Sequence, residues 1–168
     1  MKFKLNLISK DNSAKVIPIN YQYPLSAAIY KILDKGDAQY AAFLHESGYG
    51  KGYKLFTFSD LKGKFKVRGD KMYLQNNALE LIIHFHLPEA SRTFIEGLFR
   101  TQQIVIADKT NKAVFEVASV LSMPSPWDKA VNENEIVQLY VRPVSALVAG
   151  KKRENGHYLF LKPDDEEF

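Results

Sequence analysis

Hydrophobic and polar positions alternate from the first residues of the chain. Phe3, Leu5 and Leu7 fall between Lys2, Lys4 and Asn6, the period of a strand with one buried face. A polar turn at Asp11-Asn12-Ser13 follows, and Val16 to Tyr23 reads as extended up to Pro24. Leu25, Ala28, Ile29, Ile32 and Leu33 then recur at helical spacing, with Pro24 suited to the first turn. Asp34-Lys35-Gly36-Asp37 breaks that helix. Asp37 can cap a short second segment running through Leu44, with Tyr40, Ala41 and Leu44 on one side.

Further along, Lys54 to Phe58 is a strand by composition, and Lys62 to Gln75 reads as a basic hairpin turning at Gly69-Asp70. Leu79, Leu81, Ile83 and Phe85 alternate with Glu80, His84 and His86, giving another half-buried strand. Pro88-Glu89 open a helix whose apolar stripe is Phe94, Ile95, Leu98 and Phe99. Gln103 to Ile106 and Lys112 to Val120 return as strands. Strand, helix, strand or hairpin, strand, helix, strand is the order of a ferredoxin-like α+β domain. Such a domain is an antiparallel sheet with both helices on one face, leaving the other free for RNA or a partner, as in RNA-recognition modules.

After Met123-Pro124-Ser125-Pro126 the chain changes character. We expect an N-terminal domain over residues 1–125, a polar linker over 126–135 and the beginning of a second ferredoxin-like domain over 136–168. Ile136 to Val141 and Tyr158 to Leu161 would be its strands. Pro163-Asp164-Asp165-Glu166-Glu167 is helix-start chemistry, because acids complement the N-terminal dipole. A disordered acidic tail is the competing reading.

Composition narrows the class. Of the 168 residues 46% are hydrophobic, ample for a core, and 25% are charged, ordinary for a soluble protein. No apolar run approaches the ~20 residues that span a bilayer, and the start lacks a signal peptide's apolar segment. The absence of cysteine excludes disulfides, zinc–cysteine sites and thiol chemistry, and fits a reducing cytoplasm. The net charge of +4 is concentrated in one window. Lys51, Lys54, Lys62, Lys64, Lys66, Arg68 and Lys71 face only Asp60 and Asp70. They are interleaved with Tyr53, Phe56, Phe58, Phe65 and Tyr73. Cations among aromatics are a footprint for a polyanion with stackable bases; a solvated lysine-rich hairpin is the alternative.

The candidate chemistry lies from His45 to Ser59. A histidine closes the short helix, and Gly48, Gly50, Gly52, Lys51 and Lys54 follow within nine residues. Such a cluster can bind a phosphate and move protons beside it. The glycines are not a dinucleotide fingerprint, because they follow a helix and not a strand. His84 and His86, two apart on one strand face, are at most half a metal site, and no nearby Cys, His or acid pattern completes it. No serine-hydrolase or P-loop motif is present.

Three segments in sequence carry a resemblance. They are Ile19-Asn20-Tyr21-Gln22-Tyr23-Pro24-Leu25-Ser26-Ala27-Ala28-Ile29-Tyr30, Phe43-Leu44-His45-Glu46 and Lys54-Leu55-Phe56-Thr57-Phe58-Ser59. Their order and spacing resemble the N-terminal half of the CRISPR-associated endoribonucleases that process repeat transcripts, the sixth Cas family of the RAMP superfamily. The resemblance implies two tandem ferredoxin-like domains and metal-independent cleavage of CRISPR repeat RNA without a cofactor. It also implies a catalytic set of tyrosine, histidine and lysine, falling here on Tyr30, His45 and Lys54. Lys51 is a second candidate cation. Lys51, Lys62, Lys64, Lys66, Arg68 and Lys71 would hold RNA. The family's glycine-rich loop in the second domain has no counterpart here, since only Gly150 and Gly156 follow residue 149. That departure raises the expectation of a fragment with reduced activity.

RNA carries its own nucleophile. Removing the 2′-hydroxyl proton lets that oxygen attack the adjacent phosphorus, leaving a 2′,3′-cyclic phosphate and a 5′-hydroxyl. The protein must supply a base, an acid and a cation. An imidazole, ordinarily titrating near ~6.5, can act as the base. A tyrosine hydroxyl can position or protonate an oxygen, and a lysine can meet the developing oxyanion. The plainer readings are a capping histidine, a packed tyrosine and a solvated lysine. The competing functions are a non-catalytic RNA-binding or scaffold subunit of a CRISPR ribonucleoprotein and a plain protein-interaction module. Partners left open are other Cas proteins of an effector complex and a second copy in a homodimer.

Overall fold

The N-terminal alternation becomes the central strand of a five-stranded antiparallel sheet. The computed structural model describes residues 1–9, 15–124, 132, 136, 138, 140, 142, 150–154 and 156–166, in two units, Met1–Lys129 and Ala130–Phe168. The first unit contains β1 (Lys2–Ile8), β2 (Val16–Pro18), α1 (Gln22–Gly36), α2 (Ala38–Glu46), β3 (Phe56–Phe58), β4 (Phe65–Arg68), β5 (Lys71–Leu74), β6 (Ala78–Phe85), α3 (Pro88–Thr101), β7 (Gln103–Ala107) and β8 (Lys112–Met123). The second contains β9 (Gly150–Lys152) and β10 (Tyr158–Phe160).

The large sheet has the order β3-β6-β1-β8-β7. The path β1-α1-β3-β6-α3-β8 is the expected ferredoxin-like βαββαβ. To it are added α2, the β4–β5 hairpin and the edge strand β7. Pairing Leu5 with Leu81 and Phe3 with Ile83 puts Phe3, Leu5 and Leu7 of β1 and Leu79, Leu81, Ile83 and Phe85 of β6 on one buried face. These side chains meet Leu25, Ile29 and Leu33 of α1 and Phe94 and Leu98 of α3 in one core. Each fully buried Leu or Phe contributes about 1.5–3 kcal/mol. The register against β8 shifts between Asn6 and Leu7, skipping Ala118, which marks a bulge in β8.

The two long helices touch backbone to backbone. A Cβ on Gly97 of α3 would lie 1.8 Å from the carbonyl oxygen of Ile32, and one on Gly36 of α1 would lie 2.0 Å from that of Thr93. Small residues therefore define the contact, and α3 buries Ala90, Ser91, Thr93, Phe94, Gly97 and Leu98. This corrects the expected stripe. Phe99 is 74% exposed, because the helix turns its small face, not its largest side chains, toward α1. Phe99 rims an open groove of about 560 Å³ with Ile95, Leu98, Val117 and Val120.

Other expectations shift in detail. The extended segment from Val16 stops at Pro18, and α1 begins two residues before Pro24. Tyr21 turns the chain there. Its hydroxyl donates to the Asp60 carboxylate at 3.0 Å and accepts from the Leu61 amide at 3.1 Å. The strand expected from Lys54 starts at Phe56. The basic hairpin forms around Gly69-Asp70, and it pairs with β2 in a separate three-stranded ribbon of order β2-β5-β4.

In the second unit, β9 and β10 form an antiparallel pair. The expected helix start is a turn over the described residues. The Asp165 carboxylate accepts from the Lys162 amide at 2.6 Å, and the Asp165 amide donates to the Lys162 carbonyl at 3.0 Å. The linker 126–135 and the strand expected over Ile136 to Val141 lie for the most part outside the described residues. No described helix is long and apolar enough to cross a membrane.

Candidate functional site

Asp37 caps α2 as its spacing predicts, accepting from the Tyr40 amide at 2.9 Å. Tyr40, Ala41 and Leu44 are buried beneath the helix, which leaves His45 exposed in its last turn. The imidazole meets the edge of Tyr30 on α1, with ring centroids 5.3 Å apart at 82°. Tyr30 in turn meets Phe56 of β3 at 5.5 Å. Phe56 packs on Phe85 of β6 at 5.8 Å, and Phe85 on Phe94 of α3 at 5.0 Å. A continuous aromatic ladder thus runs from His45 to the centre of the core. Burial pushes the Tyr30 hydroxyl above its ordinary value, so near neutral pH it is a proton donor.

Lys54 is held differently from the expectation of a free cation. Its ammonium donates to the carbonyl oxygens of Leu44 at 2.7 Å and His45 at 2.6 Å. These belong to the last turn of α2, whose carbonyls lack helical partners and favour a cation. Leu55 makes this possible with φ of 53°, a conformation rare for a branched side chain. The Leu55 carbonyl accepts from the His86 amide at 2.9 Å, which fixes the bend.

The glycine segment is a closed loop, not a loose cradle. Tyr49 and Tyr53 exchange backbone hydrogen bonds of 2.9 and 2.8 Å. The Tyr49 ring packs against Phe43 at 5.1 Å, and its hydroxyl lies 3.4 Å from that of Tyr40. Gly48, Gly50 and Gly52 all have positive φ, which lets five residues turn back with Lys51 exposed at the tip.

The remaining cations are elsewhere. Lys66 stands opposite Tyr73, and Arg68 opposite Lys71. Period two therefore puts Lys66, Arg68, Lys71 and Tyr73 on one face of the ribbon. The other face presents Ile17 and Leu74 to the core. Lys62 and Lys64 lie at the ribbon's base, where Lys62 exchanges backbone hydrogen bonds with Glu80 of β6. With Asn6, Asn76 and Glu80 they line a shallow pocket of about 330 Å³. The ribbon's β2 lies against β7 and β8, whereas the Tyr30–His45 pair adjoins β3. β3 and β7 are the two edge strands of the sheet, and the base of the ribbon at Lys62 joins β6, the neighbour of β3.

The structure therefore brings Tyr30, His45 and Lys54 together and places Lys66, Arg68 and Lys71 on the ribbon, with Lys62 and Lys64 at its base. Of the interleaved aromatics, Phe56, Phe58 and Phe65 pack on the core, and only Tyr73 shares the ribbon's cationic face. Phe85 and Phe94, which support the site, read in the sequence as core residues alone. Among the described residues no group of three His, Asp or Glu is arranged to hold a metal ion. His84 is pushed down by burial, then by the N-terminal ammonium, His86 and Lys2.

Strand order and helix placement put the chain in the class of ferredoxin-like α+β domains. Within that class, residues 16–118 match the family model for CRISPR-associated protein Cas6, N-terminal, and the chain belongs to that family, as its three segments indicate. It is 25% identical over 172 aligned residues to the CRISPR-associated endoribonuclease Cas6 of Pyrococcus furiosus, covering 98% of this chain and 62% of that protein. The solved structure of a Cas6-related protein from Pyrococcus furiosus has a TM-score of 0.70 at 21% identity. The match covers 100% of this chain and 64% of that one. A RAMP protein described as binding different RNA substrates has a TM-score of 0.65 at 19% identity, covering 99% and 64%. The chain thus spans somewhat under two thirds of these relatives' length.

Proposed function

We infer that this chain forms one wall of an endoribonuclease that cleaves CRISPR repeat RNA without a metal ion. The observation that carries the reading is the edge-on pairing of Tyr30 with His45, 5.3 Å between centroids, on a rigid aromatic support. Membership of the Cas6 family and the endoribonuclease name of the Pyrococcus relative support it.

In this reading His45 removes the 2′-hydroxyl proton, and O2′ bonds to phosphorus as the P–O5′ bond breaks. Tyr30, kept protonated by burial, donates to the departing O5′. Both groups return to their starting states by exchange with solvent. The products are a 2′,3′-cyclic phosphate and a 5′-hydroxyl. Lys54 holds the end of α2 with two of its three donors, and Lys51 at the loop tip supplies the mobile cation. Each proton-transfer role is worth ~10²–10⁴-fold in rate.

The test is labelled repeat RNA incubated with chelator, with and without a 2′-deoxy at the scissile nucleotide. Product from the ribose substrate alone, lost in His45→Ala while binding persists, is the expected result. Equal cleavage of the deoxy substrate would refute the mechanism. The engagement of Lys54 with two backbone carbonyls favours a second reading, a non-catalytic RNA-binding subunit of a CRISPR ribonucleoprotein. That reading gives salt-sensitive binding and no product.

A further inference from the structure

The three-stranded ribbon has a chemistry of its own. None of its strands, Val16–Pro18, Phe65–Arg68 and Lys71–Leu74, contains an acidic residue. Among the described residues no ion pair engages Lys66, Arg68 or Lys71. The guanidinium carbon of Arg68 lies over the Tyr73 ring, 5.8 Å from its centroid, within cation–π reach. Val16 stands opposite Tyr73 and Pro18 opposite Lys71, which adds an apolar strip beside the cations. The opposite face turns Ile17, Met72 and Leu74 toward the core and leaves Val67 exposed at its rim.

We propose that the outer face of the β2-β5-β4 ribbon is a stacking subsite for single-stranded RNA, in which an unpaired base lies on the Arg68–Tyr73 pair and Lys66 and Lys71 hold the flanking phosphates. It rests on the RNA reading above and adds a second contact, made by residues other than Tyr30, His45 and Lys54. Stacking there requires a base free of its own neighbours, which a duplex does not offer. Aromatic and guanidinium faces take any base, so the subsite grips a flank of the RNA and leaves sequence choice to other contacts.

The test is binding of the 168-residue chain to a fluorescein-labelled 2′-O-methyl RNA 12-mer of mixed sequence, beside a 12-mer with the same backbone and no bases. Neither strand can undergo 2′-hydroxyl attack. The result therefore stands whether or not repeat RNA is cleaved, and absent cleavage of repeat RNA leaves it intact. The wild-type chain should bind the base-bearing strand about ten-fold more tightly than the abasic one. Tyr73→Leu should lose that preference and keep the abasic affinity, whereas Tyr73→Phe should retain it. Arg68→Lys, which keeps the charge and loses the plane, should behave as Tyr73→Leu. Lys66→Ala and Lys71→Ala should weaken both strands equally and lower the salt slope by about 0.7 each. The proposal is overturned if the abasic strand or a duplex of the same length binds as tightly as the base-bearing strand. It is equally overturned if Tyr73→Leu, with an unchanged melting temperature, binds like wild type, or if no 12-mer binds at low salt.

Discussion

The ammonium of Lys54 sits 2.6 Å from the backbone carbonyl oxygen of His45. The two residues meet through the backbone of one and the side chain of the other, and the lysine fixes where the histidine's helix ends. Lys54→Ala should remove two charge-assisted hydrogen bonds and destabilise the domain by about 1–2 kcal/mol, read from urea unfolding. Lys51→Ala touches no such contact and should leave the unfolding midpoint unchanged while slowing single-turnover cleavage. Equal stability losses in the two variants would contradict this division of roles.

Tyr30 can be separated into ring and hydroxyl. Tyr30→Phe keeps the edge contacts to His45 and Phe56 and should change stability by less than about 0.5 kcal/mol. If the hydroxyl is the proton donor, cleavage should nevertheless fall by at least ~10²-fold. Single-turnover rates beside a melting curve decide it. A Phe variant as fast as wild type removes Tyr30 from the chemistry.

The contact between α1 and α3 has no room for a methyl group. Alanine normally favours a helix over glycine by about 1 kcal/mol, yet Gly97→Ala would put its Cβ 1.8 Å from the Ile32 carbonyl oxygen. Steric exclusion wins, and we expect a net loss of about 1–3 kcal/mol, seen as a lower melting temperature. Gly69→Ala, with no atom within 4 Å but a positive φ, should cost less.

Alkaline pH should unfold the protein early. Burial pushes the hydroxyls of Tyr21, Tyr30 and Tyr40 above the ordinary tyrosine value, Tyr40 furthest. Below pH ~10 both folded and unfolded chains keep these protons. Above it the unfolded chain ionises first and binds fewer protons, so stability falls as pH rises. Urea midpoints measured between pH 8 and 11 should drop less steeply for Tyr40→Phe than for wild type.

Much of the fold was legible because its residues obey one period each. Phe3, Leu5 and Leu7 alternate, and Leu25, Ile29 and Leu33 recur at helical spacing, so a single buried face follows. Phe99 misled because size was counted and the closeness of two helix backbones was not. At the site, Tyr30 and His45 could be paired through their place in three ordered segments. The fixed position of Lys54 could not, since it depends on a left-handed turn at Leu55 that the composition of Lys54-Leu55-Phe56 does not announce. The Arg68–Tyr73 contact needed the β4–β5 register. Once Lys66 faces Tyr73, period two puts all four polar residues on one side. The acids after Pro163 fit a helix start and a turn equally well in one dimension, and Asp165 resolves them by bonding back to Lys162.

The aromatic ladder also sets an order of assembly. His45 and Tyr30 are close in the chain, but the rings that brace them, Phe85 and Phe94, come some forty to fifty residues later. A chain emerging from the ribosome would expose the histidine well before anything steadied it. The site would become ordered only as α3 closed over the sheet, so a nascent chain would hold these side chains without yet holding their geometry.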